Sequence, residues 1–192
     1  LSRAKGFFWE RFVELSKWKS TMKSKSLILI LMSLFASSNL PAQNPNFLKN
    51  ANENAPVYCT RKILISQAPK KVWEVLTQID GWPNWQNEIN HSTLQGGLKP
   101  GSSFVWKTGG ATIHSILHTV EPYSAFGWTG KTHGIQAIHN WNLREINGQT
   151  EVSVEESMQG FWAGLLKKSF NKNLSRGMEA WLQKLKAECE RN

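Results

Sequence analysis

Between Gly134 and Gly160 the chain reads GIQAIHNWNLREINGQTEVSVEESMQG, two alternating segments joined by Asn147-Gly148, and no other stretch restricts the fold as tightly. An Asn-Gly pair between such segments signals a β-hairpin, because both residues tolerate the positive φ of a type I′ turn. A two-residue loop sets Ile146 opposite Gln149 and then pairs Leu143 with Val152, Trp141 with Val154, His139 with Glu156, and Ala137 with Met158. One face therefore carries an apolar row holding a single imidazole and a single carboxylate directly across from each other. The other face carries Asn140, Asn142, Arg144, Glu151, Ser153 and Glu155, a set suited to water.

The same two-residue rule extends the hairpin into a meander that starts at Ser102. With Gly109-Gly110 as a loop, Trp106 faces Ile113 and Phe104 faces Ser115. With Pro122-Tyr123 as the next, Phe126 faces Thr119 and Trp128 faces Leu117. With Thr132-His133 as the third, Trp128 faces Ala137 and Phe126 faces His139. All four registers put Phe104, Trp106, Ile113, Ser115, Leu117, Phe126, Trp128, Ala137, His139, Trp141, Leu143, Val152, Val154, Glu156 and Met158 on one side. A one-residue slip at any turn would send that strand's set to the opposite face, so the agreement constrains the sheet strongly.

After Gly160 the period changes. Leu166, Phe170, Leu174, Met178, Trp181 and Leu185 recur at three- and four-residue steps, with Lys167, Lys168, Lys172, Lys184 and Lys186 elsewhere on the same helix. At about 1.5 Å per residue the helix reaches roughly 30 Å, enough to cross a sheet. Upstream, Val57 to Ser66 is rich in β-branched residues and reads as the first strand. Ala68-Pro69 then opens a helix with proline at its first position and an apolar face of Val72, Trp73, Leu76 and Ile79. Asp80-Gly81 ends it, and Pro83 opens a second short turn holding Trp82 and Trp85. Ser92 to Gln95 reads as a short strand. The expected fold is α+β: a curved, antiparallel, seven-stranded sheet wrapped around a long C-terminal helix, with two short helices after the first strand.

Charge and apolar runs divide the chain into segments. Of the formal +9, residues 1–42 contribute +5, with seven Lys/Arg against two acids, and the remainder contributes +4. From Met22, MKSKSLILILMSLFASSNLPAQ has a basic start, an apolar run from Leu27 to Ala36 and small residues up to Ala42. This is the pattern of a signal peptide, and the run falls short of the roughly 20 residues that a membrane span requires. Residues 22–42 are therefore expected to direct export, with cleavage near Ala42; retention of an uncleaved, membrane-anchoring segment is the alternative. Residues 1–21, with Phe7, Phe8, Trp9, Phe12 and Trp18 among basic residues, read either as sequence upstream of the start at Met22 or as an amphipathic membrane-surface helix. Residues 43–56, rich in Asn and bounded by proline, read as a flexible linker before a single domain over residues 57–192.

The order of these features resembles the SRPBCC superfamily, the helix-grip group of polyketide cyclases/dehydratases and lipid-transfer proteins. The resemblance spans residues 57–188. It is carried by Ala68-Pro69, Asp80 with Trp82 and Trp85, Gly101 with Phe104 and Trp106, Glu121-Pro122 followed by Trp128, His139 with Trp141, and the run Gly148, Thr150, Val152, Glu156, Gly160. It implies a deep hydrophobic cavity between the long helix and the sheet, closed at one end by the short helices that hold Trp82 and Trp85. It does not imply chemistry, since that superfamily shares the cavity more widely than any catalytic residue.

The residues expected to contact a ligand are Trp106, Ile113, Ser115, Leu117, Phe126, Trp128, His139, Trp141 and Glu156 on the sheet, with Phe170, Leu174 and Met178 on the helix. His139 and Glu156 are the candidates for proton transfer, because a carboxylate favours the charged imidazole while burial opposes charge on both. The same pair can instead satisfy itself or orient a ligand without chemistry. His114 and His118 are placed on the outward face about 13 Å apart, too far for one metal ion. No metal cluster, phosphate-binding glycine loop or other cofactor motif is present. Cys59 and Cys189 are expected to lie too far apart for a disulfide.

Three functions compete on this evidence. A binding or carrier module for a small hydrophobic ligand fits the aromatic lining, and a cyclase/dehydratase-like enzyme using His139 and Glu156 is the alternative. A nucleic-acid partner is disfavoured by the modest +4 of the domain and by the export signal. The basic stripe of Lys167, Lys168, Lys172 and Arg176 reads as a solvated helix face or as a weak contact with a membrane surface.

Overall fold

The computed structural model describes residues 49–191. The stretches read as an upstream extension, as a signal peptide and as the first part of a linker lie outside the described residues. Seven strands form one sheet: β1 (Val57–Ile65), β2 (Ile89–Gln95), β3 (Ser103–Thr108), β4 (Ala111–Glu121), β5 (Ala125–Thr132), β6 (Ile135–Ile146) and β7 (Gln149–Gln159). Their order is β1-β7-β6-β5-β4-β3-β2, with every neighbouring pair antiparallel. Helix α1 (Pro69–Thr77) and a 3-10 helix (Ile79–Asn84) follow β1, and α2 (Phe161–Leu165) and α3 (Lys167–Cys189) follow β7. This is the α+β helix-grip fold, with α3 gripped on the inner face of the sheet.

The β6–β7 register is the one the Asn147-Gly148 turn predicts, from Ile146 opposite Gln149 to Ala137 opposite Met158. Both turn residues have positive φ, 51° and 78°, as a type I′ turn requires. Gly109-Gly110 behaves alike and pairs Trp106 with Ile113. The other two turns differ from expectation. The β5–β6 loop is His133-Gly134, which pairs Trp128 with His139 and Phe126 with Trp141. Glycine in the second loop position suits the left-handed backbone there (φ 76°) and decides the register. The shift is two residues along the pairing, so every side chain keeps its face.

Between β4 and β5 the loop has three residues, since Glu121 pairs with Ala125, and Phe126 therefore meets Val120 and not Thr119. That extra residue would reverse the faces beyond it. A β-bulge at His118 cancels the slip, and Leu117 still meets Trp128. The bulge buries Leu117, His118 and Thr119 in succession, so His118 is not the exposed residue the simple alternation implies. Its ring lies over Gly127, where a Cβ would sit 2.6 Å from His118 Cε1 and 2.6 Å from Asn140 Oδ1.

Asn140 is also buried, against expectation, because the chain before β1 crosses this outer face. Asn140 Nδ2 donates to the Lys49 carbonyl (3.0 Å) and to Glu155 Oε1 (2.9 Å), and the Asn52 amide donates to Ser157 Oγ (3.0 Å). Residues 49–56, part of the stretch read as a linker, are thus tied to the sheet.

Three further departures concern the helices. The 3-10 helix contains Asp80, Gly81 and Pro83 and does not begin at Pro83, and Trp85 follows its last residue. The C-terminal helix is broken at Leu166, whose φ of −107° and ψ of 26° leave the helical region, and Leu166 is exposed. The β2 strand begins earlier than its sequence signal, at Ile89.

The second half of α3 is packed solidly. Trp181, Leu182, Leu185 and Cys189 are buried against α1, the 3-10 helix and the sheet. Trp82 is fully buried, makes edge contacts to Phe104, Trp106 and Trp181, and donates its Nε1–H to the Leu76 carbonyl (2.9 Å). Each such indole removes 150–250 Å² from water, about 4–6 kcal/mol at 25 cal/mol per Å² before entropy is counted. Cys59 and Cys189 are both buried and unbridged.

Candidate functional site

The first half of α3 is tied to β1, where Asn171 Oδ1 accepts from the Tyr58 amide and Ser175 Oγ from the Arg61 guanidinium, and a cavity of about 450 Å³ lies between it and the neighbouring strands. Its volume follows from small residues. On the sheet, Ala137 pairs with Gly130, and Gly130 pairs with Ser115, so the row leading in from Met158 carries little side-chain bulk. On α3, Gly177 lines the same space, and a Cβ there would meet nothing within 4 Å. Glycine inside a helix costs roughly 1 kcal/mol relative to alanine, so Gly177 gives up stability where room is created.

The next row toward the packed core is bulky and closes the inner end. Across β1, β7, β6, β5 and β4 it reads Cys59, Glu156, His139, Trp128 and Leu117. His139 Nδ1 lies 2.6 Å from Glu156 Oε2, with side chains 5% and 12% exposed. The imidazole is stacked on Trp128, with ring centroids 4.3 Å apart and an interplanar angle of 8°. Trp181 approaches from α3 at 5.7 Å. With Nδ1 engaged by the carboxylate, Nε2 is the ring nitrogen left for another partner. That Nε2 is buried without a hydrogen-bond partner, and so is Trp181 Nε1. An imidazole nitrogen and an indole N–H of the cavity lining thus remain without partners, an arrangement that a hydroxyl-bearing or carbonyl-bearing ligand would complete.

Of the twelve residues singled out in the sequence, eight line the cavity: Trp106, Ile113, Trp128, His139, Glu156, Phe170, Leu174 and Met178. The other four do not. Leu117, Phe126 and Trp141 share the inner face but are buried in the packed end of the core. Ser115 is buried, and its hydroxyl accepts from Trp106 Nε1 (3.1 Å), so it is engaged in orienting that wall. Trp181, Gly130, Gly177 and Asn173 line the cavity without having been singled out. Trp181 carries the helical period that would have found it. The glycines have no side chain for a periodicity to register.

Polar groups other than the dyad lie toward the rim, among them Glu88, Thr108, Thr132 and Asn173. Glu88 pairs with Lys184 (3.4 Å) on the solvent side. No group of three or more metal-ligating side chains occurs among the described residues. The outer-face histidine belongs to a different environment: burial, reinforced by the Lys49 charge, lowers His118 to about 4 from its ordinary 6.5.

A family model described as polyketide cyclase / dehydrase and lipid transport matches residues 57–190. No curated protein matches the chain. Among solved structures, the hypothetical protein jhp0584 from Helicobacter pylori superposes with a TM-score of 0.67 at 16% identity, covering 76% of this chain and 99% of that one. The Zhui aromatase/cyclase from Streptomyces sp. R1128 gives 0.63 at 12% identity, with 70% of this chain and 93% of that one covered. The di-domain ARO/CYC StfQ from the steffimycin biosynthetic pathway gives 0.61 at 13%, covering 70% of this chain and 50% of that one. At such identities the likeness is one of fold.

Proposed function

Because the chain belongs to the polyketide cyclase/dehydrase and lipid transport family of the SRPBCC superfamily, we propose that it is an exported carrier for a small hydrophobic ligand held between α3 and the sheet. The observation that carries this reading is the wall chemistry: a cavity of about 450 Å³ bounded by tryptophan, aliphatic and methionine side chains, with one ionisable dyad at its inner end. The size falls within the roughly 300–1,000 Å³ of small-molecule sites, and the predominance of apolar lining over polar groups favours binding by burial. His139 fixes orientation through Nε2, with Glu156 holding the ring in place. Native mass spectrometry of protein purified from its own host is expected to retain an apolar molecule of a few hundred daltons; ligand-free protein that also fails to bind apolar dyes would count against a carrier. Export is tested by sequencing the N-terminus of the mature protein, expected near Gln43.

The unpartnered His139 Nε2 supports a second reading, proton transfer on the bound ligand in the manner of a cyclase or dehydratase. His139→Gln separates the two. Loss of turnover with affinity held within a few-fold would indicate proton transfer, whereas loss of affinity alone indicates orientation. Ser115 does not line the cavity, and its hydroxyl accepts from Trp106 Nε1.

A further inference from the structure

We propose that α2 and the start of α3 form a docking surface for an anionic lipid bilayer. Eight large apolar side chains are exposed among the described residues, and four of them fall within six consecutive positions: Phe161 (72% exposed), Trp162 (47%), Leu165 (63%) and Leu166 (48%). Singly exposed apolar residues are ordinary, but a contiguous group on one short element marks an interaction site. The group is held firmly. Ala163 is fully buried beneath it, Phe161 and Trp162 meet edge to face at 5.1 Å, and Gly160 enters the helix with a φ of 128°. A Cβ at Gly160 would lie 2.2 Å from the Gly134 carbonyl oxygen, so the β5–β6 turn and the start of α2 are pressed together.

Charge selects the partner. From Ser157 to Met178 there is no acidic residue, while Lys167, Lys168, Lys172 and Arg176 follow the apolar group directly. The three lysines are exposed. Aromatic and leucine side chains beside an uncompensated run of lysines match the apolar and anionic layers of a bilayer surface. A protein partner with an apolar groove would meet the same side chains but would not require the lysines. The position gives the contact a use: Ile135, next to Gly134, and Phe170, one turn after Leu166, both line the cavity rim. A bilayer seated on α2 would thus lie beside residues that line the cavity. The docking surface itself does not depend on the carrier reading, and it is expected even if the cavity is shown to hold nothing.

The test compares co-sedimentation of the full chain with vesicles of phosphatidylcholine alone and of phosphatidylcholine containing phosphatidylglycerol. Wild-type protein is expected to favour the anionic vesicles. The pair Lys167→Glu and Lys168→Glu should weaken that binding roughly tenfold or more, and the triple variant Phe161→Ser, Trp162→Ser, Leu165→Ser should weaken it at every composition. To separate α2 from the N-terminal apolar segment, an environment-sensitive thiol dye is placed at Leu165→Cys. Selective labelling is available because Cys59 and Cys189 are buried. A blue shift on adding anionic vesicles is expected. Protein that sediments with unchanged emission, or variants that bind as wild type does, would overturn the proposal. So would a wild-type dimer that becomes monomeric in the triple variant, since a second copy would then be the occupant.

Discussion

Gly127 and Gly130 lie three residues apart on β5, on opposite faces, and what a methyl group would meet at each separates their roles. At Gly127 it would collide with His118 and Asn140 at 2.6 Å, inside the polar cluster that the chain before β1 covers. Gly127→Ala is therefore expected to cost about 1–3 kcal/mol through overpacking and to lower the melting temperature by several degrees. Binding of an apolar fluorescent dye, measured well below the transition, should be unchanged. At Gly130 the nearest atoms are Ile113 Cγ2 at 3.3 Å and Ser115 Oγ at 3.5 Å, and the methyl enters the cavity. Gly130→Val should leave the melting temperature within a few degrees of wild type and reduce dye or ligand affinity severalfold. If Gly130→Val binds normally, the small residues on that row do not make the site. Neither role was legible in the sequence, because an apolar periodicity records side chains and these positions matter for lacking one.

At the scale of elements, α3 is one helix with two tasks, and its glycine separates them. The half from Met178 to Cys189 is buried in the aromatic core, while the half that includes Gly177 arches over the cavity. Gly177→Ala should raise stability by about 0.5–1 kcal/mol, seen as a higher melting temperature, because the backbone loses less freedom on folding. Gly177→Leu should keep most of that gain and abolish ligand uptake by filling the space. A fall in stability for both would mean that Gly177 is required by packing. The strands were readable wherever a turn carried its own signal: Asn147-Gly148 and Gly109-Gly110 fixed their registers outright. The β5–β6 turn needed the rule that glycine takes the second loop position, which selects His133-Gly134 over Thr132-His133. The three-residue loop after Glu121 and the bulge at His118 cancel each other, so alternation shows the correct faces while concealing that His118 is buried. Faces, in turn, say nothing about depth along a strand. That is why Phe126 and Trp141, on the predicted side, sit in the core and not on the cavity wall.

For the whole molecule, the outer face of the sheet is where acid should act first. His118 is 6% exposed, with Nδ1 hydrogen-bonded to Thr119 Oγ1 (2.8 Å), and shares the space over Gly127 with Asn140, whose Nδ2 donates to the Lys49 carbonyl. Burial, then the Lys49 charge, then that of His139 lower it to about 4, with a backbone contact to Trp128 opposing them. In the unfolded chain the same imidazole titrates near 6.5. Between these values the unfolded state binds more protons than the folded one, so stability falls as pH drops from about 6.5 to about 4 and this contribution levels off below. The span corresponds to at most ~3 kcal/mol, a large share of the 5–15 kcal/mol of a typical domain. Glu151 and Glu190 act in the same direction only at lower pH, since hydrogen bonds from Arg144 and Lys186 hold their carboxyls below the usual range. Denaturant unfolding at a series of pH values should thus show a decline beginning near pH 6.5. In His118→Gln the starting stability is expected to be lower, because a buried amide replaces a fitted ring, but the slope between pH 6.5 and pH 4 should largely vanish. Hydrogen exchange should locate the loss: amides of residues 49–52 and the adjoining part of β6 are expected to lose protection before those of α3. An unchanged slope in His118→Gln would place the acid sensitivity elsewhere in the molecule.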